Sequence, residues 1–315
     1  MEFIDANAMA KRADYAGIVQ WLQDAHLANV DAMDDLLMTQ PAATSGDDTV
    51  LIRAAWQRHQ SIGVKLITVF PENTTASELP AIQAVYILFD ASNGAPLATL
   101  DGTELTYWKT AADSALGVKL LARENADELL MVGAGAQAPY LIRAHCAVRP
   151  SIKRVTIWNR TGSKAEALAA RNLIAGIEFT ATEDIEAASR RASIICCATA
   201  SEAPLVLGDW LAPGAHLDLV GGFKPEMIET DLAALNRSRV FVDCWDTTVD
   251  ICGDLCHHIK AGDYHRDAIE GDLFDMCRRH LPHERADEDI TIFKNGGGGH
   301  LDLMTAQYFV ERMKS

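Results

Sequence analysis

The sequence lacks any apolar run long enough to cross a bilayer. Its longest such run, residues 129–142, contains glycine, glutamine and proline and ends at Arg143. It also lacks an apolar segment after Met1, so we expect no secretory signal. Cysteine is sparse and odd in number, seven in 315 residues, without the spacing of a small disulfide-bonded domain. These absences predict a cytoplasmic protein with reduced thiols and no membrane partner.

Positive charge is also scarce, because 28 Lys and Arg stand against 44 Asp and Glu and give a net charge of −16. Such a surface repels phosphate backbones, so we expect no nucleic-acid partner, although a local basic pocket for a small anion stays open. A hydrophobic content of 49% with 23% charged residues is typical of a folded globular protein. The length predicts two domains rather than one small domain.

The first third of the chain combines a helical pattern with short β-rich runs. Residues 13–38 have apolar side chains at helical spacing, and residues 40–48 (QPAATSGDD) are typical of a loop. The β-rich runs are at 64–70, 84–89 and 95–100. The second leads into Asn-Gly and the third into Asp-Gly, which favour hairpins and predict an antiparallel meander. Thr110 is predicted to open an amphipathic helix.

After Asp127, short apolar runs alternate with helical patterns. Strands that alternate with helices are typical of a parallel sheet in an α/β protein, and we place the domain boundary near residue 115. The apolar runs are at 129–133, 155–158, 193–198, 217–221 and 240–243.

The first of these runs leads into a glycine-rich turn that opens a helix. Its sequence, GAGAQA at 133–138, is the G-x-G-x-x-A form of the dinucleotide-binding motif. Gly133 allows the tight turn, and Gly135 lets the backbone approach a pyrophosphate. The helix N-terminus offers N–H donors to the phosphates. Gly133, Gly135, Ala136 and Gln137 are therefore candidate cofactor contacts.

The second run ends without the acidic residue that usually holds the ribose 2′-hydroxyl of NAD. In its place Arg160 can pair with a 2′-phosphate, with Asn159, Thr161 and Lys164 beside it. This predicts NADP(H) as the preferred cofactor, with NAD(H) as the alternative. A solvated arginine at a strand end is the competing interpretation. Later strand ends supply further candidate walls of the cofactor site: Ala198, Thr199, Ser201, Val220 and Gly221.

Several segments together resemble the ornithine cyclodeaminase/mu-crystallin family, which also contains ketimine reductases and an archaeal-type alanine dehydrogenase. The segments are GVKLITVFPEN (63–73), DGTELTYWKTAADSALGVKLLA (101–122), LLMVGAGAQA (129–138), VTIWNRT (155–161), HLDLVGGFKPEMIETD (216–231), VFVD (240–243) and TIFKNGGGGHLDL (291–303).

The resemblance implies a Rossmann-type doubly wound parallel sheet domain, residues 116–294. It is inserted into a smaller α+β substrate-binding and dimerisation domain, residues 1–115 plus 295–315. A homodimer built from the meander is implied as well.

The resemblance also implies roles for individual residues. Lys65 faces the substrate as carboxylate binder or proton donor. Lys109 stands where the family has a carboxylate-binding arginine, so the charge is kept and the bidentate fork is lost. Thr110 is expected near the cofactor phosphates. Arg53 is predicted to replace an upstream arginine that the loop near residue 41 lacks. Asp302 is expected to touch substrate or cofactor, with a helix cap as the alternative.

Phe223 stands where true ornithine cyclodeaminases have a catalytic aspartate, so the resemblance favours a reductase. The predicted reaction is NADPH-dependent reduction of a cyclic ketimine carboxylate, with Lys65 and Lys109 as catalytic cations. The substrates are Δ1-pyrroline-2-carboxylate, which gives proline, or Δ1-piperideine-2-carboxylate, which gives pipecolate. The alternatives are an NAD-dependent ornithine cyclodeaminase, an amino-acid dehydrogenase and a non-enzymatic NADPH-binding protein.

One further cluster, Cys252, Cys256, His257 and His258, contains residue types that bind metals. On a helix the two cysteines share a face, as two ligands would. However, no second ligand pair lies at zinc-finger spacing. We therefore predict a buried helical face and no metal.

Overall fold

The structure is a computed structural model that describes residues 2–32, 35–41, 47–73, 79–279 and 285–314. It divides into two compact units, the first formed by Met1–Lys109 with Gly298–Ser315 and the second by Thr110–Gly297. The boundaries predicted from the sequence are at 115/116 and 294/295. Of the predicted loop at 40–48, residues 42–46 lie outside the described part, and the residues on either side belong to strands. None of the described helices is both long and apolar enough to span a bilayer.

The first third of the described chain is rich in consecutive strands, and strands and helices alternate from Glu128 onwards. The strands are β1 (Glu2–Ile4), β2 (Asp31–Ala32), β3 (Leu36–Pro41), β4 (Asp47–Gln57), β5 (Ser61–Val69), β6 (Ile82–Asp90), β7 (Pro96–Asp101), β8 (Glu128–Val132), β9 (Arg154–Trp158), β10 (Glu178–Thr182), β11 (Ile194–Cys197), β12 (His216–Leu219), β13 (Arg239–Val242), β14 (Ile269–Gly271) and β15 (Thr291–Lys294). The helices are α1 (Ala6–Arg12), α2 (Tyr15–Ala25), α3 (Gly102–Leu121), α4 (Ala138–Val148), α5 (Gly162–Ala169), α6 (Ile185–Arg191), α7 (Leu232–Arg237), α8 (Trp245–Thr248), α9 (Gly253–Ala261), α10 (Leu273–Cys277) and α11 (Gly299–Lys314).

The first unit is built on a seven-stranded sheet in the order β1-β7-β6-β5-β4-β2, with β3 also paired to β4. Strands β4 to β7 pair antiparallel in sequence order, so the predicted meander is confirmed. Helix α11 packs against β4, β5 and α2. Its apolar side chains Leu303 and Met304 are fully buried. The opposite face of β3, β4 and β5 carries large apolar side chains that are exposed.

Two predictions in this unit were wrong in their bounds. The helix predicted over residues 13–38 ends at Ala25, and residues 36–41 form a strand paired with β4. The helix predicted to open at Thr110 begins at Gly102, because the Asp101 side chain accepts hydrogen bonds from the backbone N–H groups of Thr103 and Glu104. The Asp-Gly pair thus caps a helix instead of turning a hairpin.

The second unit is an eight-stranded sheet in the order β10-β9-β8-β11-β12-β15-β13-β14, in which all pairs are parallel. The central strands β8, β11, β12 and β15 are buried throughout, as expected for a parallel sheet with helices on both faces. Strand order reverses on the two sides of β8, which is the doubly wound arrangement. The fold class predicted from the sequence is therefore confirmed.

Candidate active site

The glycine turn after β8 has the geometry of a phosphate cradle. Gly133 has φ +112°, and a Cβ there would lie 2.6 Å from the carbonyl oxygen of Ala198, so no other residue fits. Its N–H donates to the carbonyl of Trp158 at 2.8 Å, which ties the turn to β9. A Cβ at Gly135 would meet nothing within 4 Å, so open space lies above the backbone where α4 begins. This cradle fits the pyrophosphate of a dinucleotide at a helix N-terminus.

The end of β9 combines a bracing residue with exposed cations. Asn159 Oδ1 accepts from the N–H of Ala134 at 3.1 Å, so Asn159 fixes the glycine turn directly. Arg160 and Lys164 are exposed on either side of Thr161, the residue before α5. A carboxylate is also nearby, because Glu183 Oε1 lies 3.8 Å from where a Cβ on Gly162 would stand. Two cations and one acid therefore flank this strand end.

The predicted cofactor walls lie at the carboxyl edge of the sheet, where the parallel strands end. Val220 and Gly221 both donate their N–H groups to the carbonyl of Cys197. Ser201 Oγ donates to the Ala203 carbonyl at 2.6 Å. Thr199 donates its N–H and its hydroxyl to Glu229 Oε1 at 2.6 and 2.8 Å. Glu229 was missed by sequence reasoning because it lies in a loop before α7 with no local motif around it.

In the first unit, Lys65 forms a buried ion pair with Asp302. Lys65 on β5 is 2% exposed, and its Nζ donates to Asp302 Oδ1 at 3.0 Å and to Thr106 Oγ1 on α3. Burial lowers the pKa of Lys65, and the attraction of Asp302 only partly opposes this effect. Asp302 lies inside the first turn of α11, which starts at Gly299, and its carboxylate points to Lys65 instead of capping the helix.

Positive charge exceeds negative charge around Asp302. Burial on its own raises the pKa of Asp302, but Lys65, Lys109 and Arg53 outweigh it and hold this pKa below its ordinary value. Arg53 is also paired with Asp35 through Nη2 and Nε, at 2.5 and 2.8 Å. Lys109 is 4% exposed and makes no hydrogen bond or ion pair within the part of the chain that the structure describes. One buried ammonium thus remains for an anionic ligand.

Tyr86 completes this cluster and was also missed from the sequence. It lies directly opposite Lys65 in the antiparallel register of β5 and β6, and its side chain is buried. Burial and the charge of Asp302 raise its pKa well above the usual value. Among the described residues, neither the Tyr86 hydroxyl nor Asp302 Oδ2 has a hydrogen-bond partner. The strand register of β5 and β6 could have predicted that Tyr86 lies beside Lys65. No sequence motif around Thr106 indicates its contact with Lys65.

The remaining predicted residues are placed as follows. The Thr110 carbonyl accepts from Asn295 Nδ2 at 3.1 Å in the second unit. The Phe223 side chain is 54% exposed in the loop after β12. The structure thus gathers Lys65, Lys109 and Asp302 into one electrostatic cluster with Arg53, and the cofactor candidates at the carboxyl edge of the second unit.

Among the described residues, two groups contain residue types that could bind a metal. Cys252, the N-cap of α9, and Cys256 are buried as predicted, whereas His257 is exposed and His258 half-buried, so the predicted buried face does not include the histidines. His145, Cys196 and Asp218 are close enough to share an ion. Their atoms are hydrogen-bonded instead, since Asp218 Oδ2 lies 3.0 Å from His145 Nε2 and 3.1 Å from Cys196 Sγ. Ser114 donates to the other oxygen of Asp218, so we assign this group to the core.

The fold and the glycine turn define a dinucleotide-binding protein with a second, cation-bearing unit. Residues 39–315 match the ornithine cyclodeaminase/mu-crystallin family, and the chain belongs to it. The resemblance found in the sequence is thereby confirmed.

Similar proteins include reductases of a cyclic imino acid. The chain is 37% identical over 317 residues to Delta(1)-pyrroline-2-carboxylate reductase of Paracoccus denitrificans, covering 99% of this chain and 97% of that protein. It is 41% identical over 276 residues to Protein SAR DEFICIENT 4 of Arabidopsis thaliana, covering 85% and 84%. Delta(1)-pyrroline-2-carboxylate reductase of Thermococcus litoralis, solved with NADH and L-proline, matches with a TM-score of 0.88. That match has 25% identity and covers 100% of this chain and 98% of that chain.

Proposed function

We propose that this protein reduces cyclic ketimine carboxylates with a nicotinamide cofactor, converting Δ1-pyrroline-2-carboxylate to proline, Δ1-piperideine-2-carboxylate to pipecolate, or both. The observation that carries the proposal is Lys109, a buried ammonium without a partner in the described chain, beside the Lys65–Asp302 pair. A ring carboxylate and an imine nitrogen are the groups that such a pair of cations would bind. The pyrroline carboxylate reductases among the relatives support this substrate class.

In this proposal the two lysines have different tasks. Lys109 binds the substrate carboxylate, because its ammonium makes no hydrogen bond or ion pair with the described residues. Lys65 donates a proton to the imine nitrogen, since burial has already weakened its hold on that proton. Asp302 and Thr106 fix the direction of the Lys65 ammonium. The cofactor, when bound at Gly133, Gly135 and the start of α4, supplies the hydride that completes reduction of C=N to CH–NH.

We further propose NADP(H) as the preferred cofactor. Arg160 and Lys164 are exposed at the end of β9, and Arg160 has no hydrogen-bond partner in the described residues. A 2′-phosphate would satisfy both cations. Glu183 opposes this preference, because a carboxylate beside the same strand end repels a phosphate and favours a ribose hydroxyl.

We also propose a homodimer formed through the exposed face of the first unit's sheet. Leu36 and Leu66 both pair with Ile52 in register, so the three side chains form one row across β3, β4 and β5 on one face of the sheet. Met38 and Trp56 belong to the same face. The exposed side chains on it are Leu36, Met38, Trp56 and Leu66. A contiguous apolar face of this kind is typical of a protein–protein interface, and a second copy of the chain is the occupant we propose.

A steady-state assay tests the reaction. We expect oxidation of NADPH with Δ1-pyrroline-2-carboxylate or Δ1-piperideine-2-carboxylate, and little with pyruvate plus ammonia. Ornithine with NAD serves as a parallel arm. Ammonia released from ornithine without imine reduction would identify a cyclodeaminase instead. Binding of NADPH without turnover of any substrate would favour a non-enzymatic binding protein.

A further inference from the structure

A buried charge cluster lies under the carboxyl edge of the second unit's sheet. It consists of Glu229, Asp254 on α9 and Lys294 at the end of β15, and all three side chains are fully buried. Lys294 Nζ lies 3.0 Å from Asp254 Oδ2 and also donates to the carbonyl of Gly221. Asp254 Oδ1 accepts from the N–H of Glu229 at 2.6 Å and from that of Thr230 at 3.2 Å. The cluster therefore joins the ends of several elements that border the predicted cofactor site.

The Glu229 carboxylate is wedged between the turns that follow β11 and β12. Its Oε1 accepts both hydrogen bonds from Thr199. A Cβ at Gly221 would lie 2.1 Å from the Thr199 carbonyl oxygen and 2.5 Å from Glu229 Oε1, so the two turns and the carboxylate meet at a position where only glycine fits. Glu229 Oε2 is buried and has no hydrogen-bond partner among the described residues. Its environment thus fixes its position, and the two hydrogen bonds from Thr199 favour the ionised form while burial favours the protonated form.

The cluster contains the carboxyl groups of Glu229 and Asp254 and the ammonium of Lys294. Its net charge is −1 when both carboxyl groups are ionised and zero when one of them holds a proton. Burial and the charge of Asp254 raise the pKa of Glu229 to about 7, against the opposing effect of Lys294. The other titratable groups that face Glu229 are Cys196 and Cys197 on β11, whose pKa values burial raises well above the ordinary value. They remain neutral thiols. Burial and Asp254 therefore favour a proton on Glu229, whereas Lys294 and Thr199 favour its ionised form.

We propose that Glu229 positions the Thr199 wall and exchanges a proton with solvent according to the redox state of the bound nicotinamide. The ring is neutral when reduced and carries one positive charge when oxidised. Ligands of doubly wound sheets bind at the carboxyl edge, so an ionised Glu229 favours the oxidised form and a protonated Glu229 favours the reduced form. When the ring becomes positive, Glu229 releases its proton to solvent. The proposal rests on the proposed function only in requiring a nicotinamide cofactor, and it makes no use of the imine substrate.

Binding measurements across pH test this proposal without any turnover. The dissociation constants of NADPH and NADP+, or of NADH and NAD+, are measured between about pH 6 and pH 8.5 for the wild type and Glu229→Gln. For the wild type we divide the dissociation constant of the oxidised cofactor by that of the reduced cofactor. We expect this ratio to fall about tenfold as the pH rises. A change of this order is expected of a unit charge whose field is partly screened within the protein. In Glu229→Gln, which cannot ionise, we expect a flat ratio.

Two further variants separate charge from structure. Glu128 is a buried carboxylate at the opposite edge of the same sheet, paired with Arg154, so Glu128→Gln should keep the wild-type pH dependence. Asp254→Asn removes a negative charge that holds the proton on Glu229, so the midpoint of the ratio change should shift to lower pH. This second variant also carries the test if Glu229→Gln does not fold. Calorimetry in two buffers should show proton release when the oxidised cofactor binds to the wild type at neutral pH.

The outcomes are distinguishable. Equal pH slopes in wild type and Glu229→Gln, or an unmoved midpoint in Asp254→Asn, would overturn the role of Glu229. Failure of every nicotinamide dinucleotide to bind would overturn both this role and the proposed function. Normal pH-linked binding without reduction of any cyclic imine would overturn the proposed function alone.

Discussion

At the scale of single residues, Lys109 supports the proposed binding of an anionic substrate to the first unit. A buried charge without a partner is unfavourable, so a fold that keeps one gains stability when it is removed or neutralised. Lys65 in the same unit has Asp302 and Thr106 as partners, whereas Lys109 has no comparable contact in the described chain. An anionic ligand is the partner that would compensate this charge.

Lys109→Met should therefore separate substrate binding from stability. We expect kcat/KM for the cyclic imine to fall by a factor of roughly 30 to 1,000, which corresponds to about 2–4 kcal/mol for a lost buried charge pair. The free energy of unfolding of the free protein should rise, because the unpaired ammonium is gone. Lys109→Arg, which keeps the charge, serves as the control and should retain most activity. An equal loss of cofactor affinity in Lys109→Met would contradict the assigned role.

The cofactor preference is tested at the end of β9. Arg160→Asp should shift the ratio of kcat/KM values towards NADH by at least tenfold, because it replaces the cation proposed to bind the 2′-phosphate with a group that binds a ribose hydroxyl. Glu183→Gln should act in the opposite direction and strengthen NADPH binding, since it removes a nearby negative charge. Both ratios come from steady-state kinetics with the two cofactors. If Arg160→Asp left the ratio unchanged, Arg160 would point to solvent.

His216 should make the second unit sensitive to acid. Its side chain is fully buried with Nδ1 2.9 Å from Thr291 Oγ1, and burial lowers its pKa to about 3. The unfolded chain binds a proton at His216 near pH 6.5 and the folded chain only near pH 3, so stability falls as pH falls through this window. At about pH 4.5 the loss from this one group is about 2–3 kcal/mol.

Urea unfolding at about pH 7 and pH 4.5 measures this effect. His216→Gln cannot take up the proton, so the difference between the two pH values should be smaller in the variant than in the wild type. A variant that loses as much stability as the wild type on acidification would show that other groups account for the acid sensitivity.

At the scale of elements, local patterns predicted most strands, the meander and the glycine turn, because each depends on neighbours in sequence. They failed where one pattern fits two structures. Asp-Gly at 101–102 favours a hairpin, yet its aspartate caps α3. Leu36 and Leu37 continue a helical spacing, yet they pair with β4. In the site, Lys65 was found through a resemblance and Glu229 was not found at all, because its partner Thr199 lies 30 residues away.

The cap of α3 is a testable contribution to stability. Asp101 Oδ1 accepts from two N–H groups of the first turn, so Asp101→Ala should lower the free energy of unfolding by about 1 kcal/mol. Asp101→Asn keeps a side-chain acceptor and should lose little. Since α3 also carries Thr106 and Lys109, we expect the alanine variant to reduce activity more than a comparable cap variant, Asp184→Ala, at α6. Equal effects of both variants on activity would contradict this link.

At the scale of the whole molecule, the proposed dimer predicts a specific sensitivity. Leu66 is 38% exposed on the apolar face of the sheet, so Leu66→Asp would place a charge in the proposed interface. We expect this variant to elute as a monomer in size-exclusion chromatography with light scattering. Ile251→Asp, at an exposed apolar residue of the second unit, is the matched control and should leave the assembly unchanged. Wild-type protein that is monomeric at micromolar concentration would contradict the proposal.

The composition of the first unit from both ends of the chain has a consequence for biosynthesis. Lys65 and Asp302 are separated by 237 residues, so Asp302 leaves the ribosome long after Lys65. At a translation rate of roughly 5–20 residues per second, Asp302 is synthesised roughly 12–50 s after Lys65. During that interval the complete second unit can fold, while the sheet of the first unit lacks α11 and exposes the surface that this helix covers. A nascent chain stalled before α11 is thus a natural target for chaperones, and the Lys65–Asp302 pair forms only after α11 has been synthesised.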